Sequence, residues 1–175
     1  MERELEIRES VAQDRAAIEA LYPRAFADED LLPLVGNLLA DPGVTVSLVA
    51  ILGSAVVGNI IFTKCSVDGC DTRAALLAPL AVDPACQGKG IGSALVQAGL
   101  RRLQEDGISM VFVLGDPDYY GRFGFRPEPT VATPYPLPSD WADAWQSRRL
   151  TDAASPSGGL LVLPGFWLDR GLWSP

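Results

Sequence analysis

The 175-residue chain contains no histidine. That absence excludes Ser-His-Asp and Cys-His catalytic systems, an HExxH zinc site and an imidazole pH switch. Cysteine is scarce as well: Cys65, Cys70 and Cys86 include no CxxC pair. Three dispersed thiols cannot close a four-ligand structural zinc site within one chain, so no metal is expected, and reduced, mostly buried cysteines are. Lysine is scarcer still, with Lys64 and Lys89 alone, and Lys plus Arg total 14 against 22 Asp plus Glu for a net charge of −8. Phosphate neutralisation needs clustered cations, so the composition argues against a nucleic-acid partner and favours a cationic substrate. Long apolar runs are missing too. The longest, Ala74 to Val82, has nine residues including Pro79, against the roughly 20 that span a bilayer, so no membrane partner is expected. The start of the chain, with Glu2, Arg3, Glu4 and Glu6, does not resemble a signal peptide, and the expected compartment is the cytoplasm. What is present is 48% hydrophobic and 21% charged residues, enough core formers for a single globular domain spanning residues 1–175.

Leu5 and Ile7, with polar residues between them, predict a short first strand. Val11 to Phe26 carries apolar residues at helical spacing through Ile18, Leu21 and Tyr22, with Ser10 as its N-cap. A second helix is expected from about Asp28 to Ala40, stopped by Asp41-Pro42-Gly43. Val44 to Leu52 and Ala55 to Cys65 are strand-like and are separated by Gly53-Ser54, which predicts an antiparallel hairpin. Asp68-Gly69 turns the chain into a third long strand, Thr72 to Val82. The period then changes: Gly90 to Glu105 is helical, Gly107 ends it, and Ser109 to Leu114 is a buried strand. Strand, glycine loop, helix and strand form a βαβ-like crossover, so its two strands should be parallel neighbours. Eight of the 14 prolines and all four tryptophans lie from Pro127 onward. With Leu160 to Leu163 as its one clear strand, residues 127–175 are expected to wrap a core formed by residues 1–126. Core or interface packing is the expected use of Trp141, Trp145, Trp167 and Trp173, ahead of walling an acceptor pocket.

Gln87-Gly88-Lys89-Gly90-Ile91-Gly92-Ser93 lies between the strand ending at Val82-Asp83-Pro84 and the following helix. Glycines there allow tight turning and expose consecutive N–H groups, while the helix N-terminus adds about half a positive charge. A pyrophosphate is the natural guest. Lys89 is misplaced for a P-loop. A dinucleotide fingerprint could use Gly88, Gly90 and Ser93, with Asp116 as a ribose ligand, and remains the alternative from another enzyme class.

Gln87-x-x-Gly90-x-Gly92 resembles the Q/R-x-x-G-x-G/A pyrophosphate loop of the GNAT superfamily of acetyl-coenzyme-A-dependent N-acetyltransferases. Leu80-Ala81-Val82-Asp83-Pro84 resembles that family's fourth strand, and Tyr120-Gly121-Arg122-Phe123-Gly124-Phe125 its Y-x-x-x-G-F segment. The likeness covers Leu5 to about Arg126. It implies an α/β fold with a mixed central sheet, an antiparallel N-terminal meander, fourth and fifth strands that splay apart, and flanking helices. Pro79 agrees, because a proline removes a ladder donor and favours a bulge or an edge. The resemblance further implies that backbone at Leu80, Ala81 and Val82 pairs with pantetheine, an N–H there polarising the thioester carbonyl. It also implies that Gln87, Gly88, Lys89, Gly90, Ile91, Gly92 and Ser93 hold the pyrophosphate of acetyl-coenzyme A as cosubstrate, and that Tyr120 protonates the leaving thiolate. Tyr119 is adjacent to it. The acceptor implied is a small-molecule or peptide amine, and a homodimer is a family-level expectation.

Acetyl transfer to an amine needs a neutral nucleophile, since an ordinary lysine-like amine has a pKa of about 10.4. Leu76 to Val82 carries no carboxylate. Asp116 and Asp118 are read as shaping the Asp116-Pro117 turn or capping the helix that follows it. The base is therefore unassigned from sequence, and a non-catalytic acyl-coenzyme A sensor of the same fold stands as the alternative to an enzyme.

Overall fold

In the computed structural model, which describes residues 3–175, β1 (Leu5–Glu9) is followed by α1 (Arg15–Ala25) and α2 (Leu32–Leu39), then β2 (Thr45–Leu52), β3 (Ala55–Val67) and β4 (Arg73–Val82). Next come α3 (Ile91–Glu105), β5 (Met110–Leu114) and the one-turn helix α4 (Pro117–Tyr120). The remaining strands are β6 (Arg126–Pro127), β7 (Val131–Ala132), β8 (Trp145–Arg149) and β9 (Gly159–Val162). Glu2, part of the acidic N-terminal stretch, lies outside the described residues, as does Met1. No described helix is long and apolar enough to cross a membrane. The backbone forms two compact units. One holds the residues up to Phe62 together with Ala78–Arg101, the other Thr63–Leu77 together with Arg102–Pro175.

In the first unit the strand order is β1-β2-β3-β4, with β1 antiparallel to β2 from Leu5↔Leu52 to Glu9↔Leu48. Alternation along β2 sends Val49 and Ala50 to opposite faces. Ile18, Leu21 and Tyr22 of α1 and Val35 of α2 pack with Val49 and Ala81 in one cluster. Ile91 and Leu95 of α3 lie over Gly58, on the face of Ala50. Helices thus cover both sides, each through the apolar stripe that its 3.6-residue period supplies.

The first helix begins later than expected. Ser10 does not cap it; its N–H continues the β1–β2 ladder to Ser47 O at 2.9 Å. The carboxylate of Asp14 instead closes the 3-10 turn Ala12–Asp14 that leads into α1, accepting from Val11 N at 2.7 Å and from both Arg8 guanidinium nitrogens at 2.7 and 2.9 Å. The Arg8 hydrogen bonds, assisted by the Val11 N–H, hold the Asp14 carboxyl below its ordinary range against the opposing effect of burial. A depressed folded pKa means that this stability is fully present above the unfolded value of about 3.9 and is lost as pH falls through the folded one. Asp14→Asn, which keeps an oxygen for the Val11 N–H but loses the charge that pairs with Arg8, should therefore lower the melting temperature near neutrality. Its melting temperature should converge on that of the wild type when unfolding is followed down to strongly acidic pH.

In the second unit the order is β3-β4-β5-β8-β6, with β9 on β3 and β7 on β9. The βαβ expectation holds: β4 and β5 are parallel, from Ala74↔Met110 to Leu77↔Val113. That ladder ends at Leu77, while β4 runs on to Val82 through Pro79, which has no N–H to donate. The segment after Pro127 holds more strand than the sequence suggested. β8 lies antiparallel between β5 and β6, and β9 pairs with Ser66 and Val67 of β3. Three of the four tryptophans fill the core as expected, whereas Trp141 is only half-buried. Trp145 stacks on Phe112 at 5.4 Å, Trp167 and Trp173 are also buried, and the three indole N–H groups donate to Val131 O, Thr63 Oγ1 and Trp167 O. Cys65, Cys70 and Cys86 are free and half-buried, less enclosed than expected, and burial pushes the Cys65 thiol up to about 12.

Candidate functional site

The chain leaves β4 at Val82 and reaches α3 through a short 3-10 turn, Pro84–Cys86, capped by the Asp83 carboxylate, whose Oδ1 accepts from Ala85 N at 3.0 Å. Gln87 is extended, and its Nε2 donates to Val82 O at 3.2 Å, tying the first residue of the loop to the end of the strand. Gly88 and Gly90 have φ of +77° and +81°. A Cβ at either position would meet no atom within 4 Å. Space does not require glycine there; the left-handed backbone does.

Ala94 N donates to Gly90 O at 3.0 Å and opens the helix, leaving the N–H groups of Ile91, Gly92 and Ser93 without intrahelical partners. Ile91 is buried and anchors this turn in the core, whereas Gln87, Gly88, Lys89 and Gly90 are exposed. The result is a rigidly rooted helix start with an exposed cluster of N–H groups at its positive end, which suits a phosphate-type anion. On the neighbouring strand, Ala81 turns its side chain into the α1–α2 cluster, and Leu80 and Val82 are half-buried.

In the second unit, Tyr120 closes α4. Asp116 Oδ1 caps that turn through Asp118 N at 2.9 Å, the structural role read from sequence, and Tyr120 N donates to Asp116 O at 3.0 Å. The Tyr120 ring meets Tyr119 and Phe125 edge to face at 4.9 and 5.8 Å. Its hydroxyl has no hydrogen-bond partner among the described residues, and burial, helped by the neighbouring Tyr119, raises its pKa above the ordinary phenol value. Tyr119 differs: the Arg122 guanidinium lies 4.6 Å from its ring centroid and partly offsets the upward shift from burial.

Two carboxylates close in sequence to these elements are occupied. Both oxygens of Asp83 are engaged, Oδ1 by the cap and Oδ2 by Arg24 at 3.0 Å, and Asp116 is committed to its turn. No group of three or more Cys, Asp or Glu side chains that could hold a metal occurs among the described residues. Sequence reasoning missed the tie between Gln87 and Val82, and the Arg24–Asp83 pair. The Asp-Pro step after an apolar strand signalled a capped turn, but nothing in the sequence showed that Arg24, 59 positions earlier, would reach it.

The acetyltransferase (GNAT) domain family model matches residues 45–127, which include β4, the glycine loop, α3, β5 and α4. The uncharacterised N-acetyltransferase YjhQ of Escherichia coli K12 is 37% identical over 79% of this chain and 80% of its own length. The uncharacterised N-acetyltransferase YhbS of the same organism is 37% identical over 85% of this chain and 89% of its own. The crystal structure of E. coli YhbS in complex with CoA superposes with a TM-score of 0.86 at 34% identity, covering 98% of this chain and 96% of that one. A GNAT family acetyltransferase from Brucella melitensis in complex with acetyl-CoA gives 0.77 at 28% identity, covering 94% and 99%. Strand β4, the glycine loop and the Tyr120 turn stand in the order the sequence resemblance required, and the chain belongs to the GNAT family of N-acetyltransferases.

Proposed function

We propose that this protein transfers an acetyl group from acetyl-coenzyme A to a primary amine by direct attack of the amine on the thioester. The observation that carries the reading is the exposed glycine loop at Gly88–Gly90, which opens α3 just after a β4 that runs on to Val82 past the end of its β5 ladder. The N–H groups from Gly88 to Ser93 receive the pyrophosphate, with Gln87 holding the loop to Val82 and Lys89 adding charge. Backbone at Leu80, Ala81 and Val82 pairs with pantetheine, and an N–H there stabilises the oxyanion. The amine nitrogen bonds to the acetyl carbon to form a tetrahedral oxyanion; as this collapses, the C–S bond breaks and the Tyr120 hydroxyl delivers a proton to the sulfur, while the nitrogen loses a proton to solvent, from which the phenol is reprotonated. The solved complexes of YhbS with CoA and of the Brucella protein with acetyl-CoA support the choice of cosubstrate. A dinucleotide site at Gly88, Gly90 and Ser93 is set aside by the family, and by Asp116 being held in its own turn.

A cationic acceptor suits the net charge of −8. In the first unit, a cavity of about 320 Å³ at the α1–α2 connection is lined by Asp28, Glu29 and Asp30 together with Tyr22 and Phe26, which offers carboxylates and aromatic faces to an ammonium group. With Asp83 and Asp116 engaged, the amine loses its proton to solvent before attack. The rate at subsaturating amine should therefore rise with pH toward the amine's own pKa. The elevated Tyr120 phenol should keep the protonated acid in place beyond the ordinary tyrosine value of about 10. A pH–rate profile checks both limbs. A fall in rate centred between pH 8 and about 10, in a range where the protein stays folded, would count against a protonated phenol as the acid.

A further inference from the structure

We propose that Gln146 is a positioning residue that fixes the phenol of Tyr120 through the peptide of Gly115, an inference that rests on the assignment of Tyr120 as the acid. Gln146 sits in β8, opposite Val113 of β5 and Pro127 of β6, and is 1% exposed. Its Nε2 donates to Gly115 O at 3.1 Å and lies 3.4 Å from Ala144 O, while Gly115 N donates to Ala144 O at 2.9 Å. Both ends of Gly115 are thereby tied to the start of β8. The Tyr120 ring lies against that residue. A Cβ on Gly115 would stand 2.5 Å from Tyr120 Cε2 and 3.0 Å from Cδ2, so the ring occupies the space that a side chain would take.

A helix of four residues does not hold a side chain rigidly by itself. The ring needs a fixed platform, and Gly115 supplies it. The other end of the Gln146 amide shows that packing alone does not account for the residue. Oε1 is the one buried side-chain nitrogen or oxygen without a hydrogen-bond partner among the described residues. Methionine would fill similar volume without burying an unmatched acceptor. The amide is therefore costly to stability at its oxygen, and its return is the hold that its nitrogen has on Gly115.

Gln146→Met removes the donor while keeping the bulk. With acetyl-coenzyme A and a panel of spermidine, tyramine and a short peptide with a free N-terminus, kcat should fall about tenfold or more, as for a displaced catalytic group. KM for acetyl-coenzyme A should stay within about twofold. Added to Tyr120→Phe, the same substitution should lower kcat no further, because the group it positions is gone. An equal loss in both backgrounds, or none in either, overturns the proposal. A readout independent of turnover is the ring-carbon NMR signal of each tyrosine, assigned by Tyr→Phe variants. Gln146→Met should move or broaden the Tyr120 signal and leave those of Tyr22 and Tyr135 unchanged, and an unmoved Tyr120 signal refutes the positioning. If Tyr120→Phe alone keeps full activity, the acid assignment fails while the NMR result still decides the positioning. If Gln146→Met does not fold, Gly115→Ala, which pushes a methyl against the ring, should reproduce the kcat loss and its absence in the Tyr120→Phe background; failure to do so is equally contradictory.

Discussion

Tyr120→Phe should lower kcat for acetyl transfer by about a hundredfold or more, the usual worth of a positioned general acid, while the Kd for acetyl-coenzyme A stays within about twofold. Only the hydroxyl is removed. The ring keeps its edge-to-face contacts with Tyr119 and Phe125 and its seat on Gly115, so neither folding nor cofactor binding has reason to change. The leaving thiolate of an ordinary thiol with a pKa of about 8.5 departs poorly without a proton, and a phenol held above its usual pKa by burial is protonated throughout the working range. Tyr119 should give a smaller effect, since Arg122 covers its ring face and its hydroxyl is not the one the family motif selects. Steady-state kinetics of the two Phe variants, with calorimetric Kd values, separate these outcomes. Equal kcat for Tyr120→Phe and wild type would move the proton source elsewhere.

Gly90→Val should weaken acetyl-coenzyme A binding by about tenfold or more. At φ of +81° a non-glycine residue costs roughly 1–2 kcal/mol, and a β-branched one sits at the upper end. The loop relaxes by turning its backbone, which redirects the N–H groups that would face the pyrophosphate. Because a Cβ at Gly90 would touch nothing within 4 Å, the change creates no clash in the core, and the affinity loss should exceed what the modest fall in melting temperature would suggest. Gly43, whose φ lies outside the left-handed region and whose Cβ would meet only Asp41 Oδ1 at 3.6 Å, is the control. Gly43→Ala should leave affinity unchanged. Calorimetry on the three proteins tests this, and equal Kd values for Gly90→Val and wild type would remove the loop from the cofactor site.

Much of this architecture was legible because it rests on local signals. Alternating glycines at a strand-to-helix junction mark positive φ, and Gly88 and Gly90 both adopt it. The β4–β5 ladder stops at Leu77, two residues before Pro79. Features set by distant partners were not legible. Trp145-Gln146-Ser147-Arg148-Arg149 lacks apolar alternation, and it becomes a strand because β5 and β6 satisfy its backbone from both sides. Ser10 has the chemistry of a helix cap, but its N–H is taken by Ser47, and the chain enters α1 through a 3-10 turn closed by Asp14. For the same reason the roles of Gln146 and Gly115 had no local signature. Each depends on a neighbour roughly thirty residues away or on a ring that packs back onto the chain.

Acetyl transfer to an amine is read out by following free thiol release from acetyl-coenzyme A with spermidine, tyramine and a peptide amine, together with mass analysis of the amine. Thiol release should depend on at least one of these amines, yield the N-acetylated product in equal amount, and collapse in Tyr120→Phe. Saturable acetyl-coenzyme A binding without amine-dependent thiol release or acetylated product from any amine tested would contradict it, and would favour an acyl-coenzyme A sensor built on the same fold.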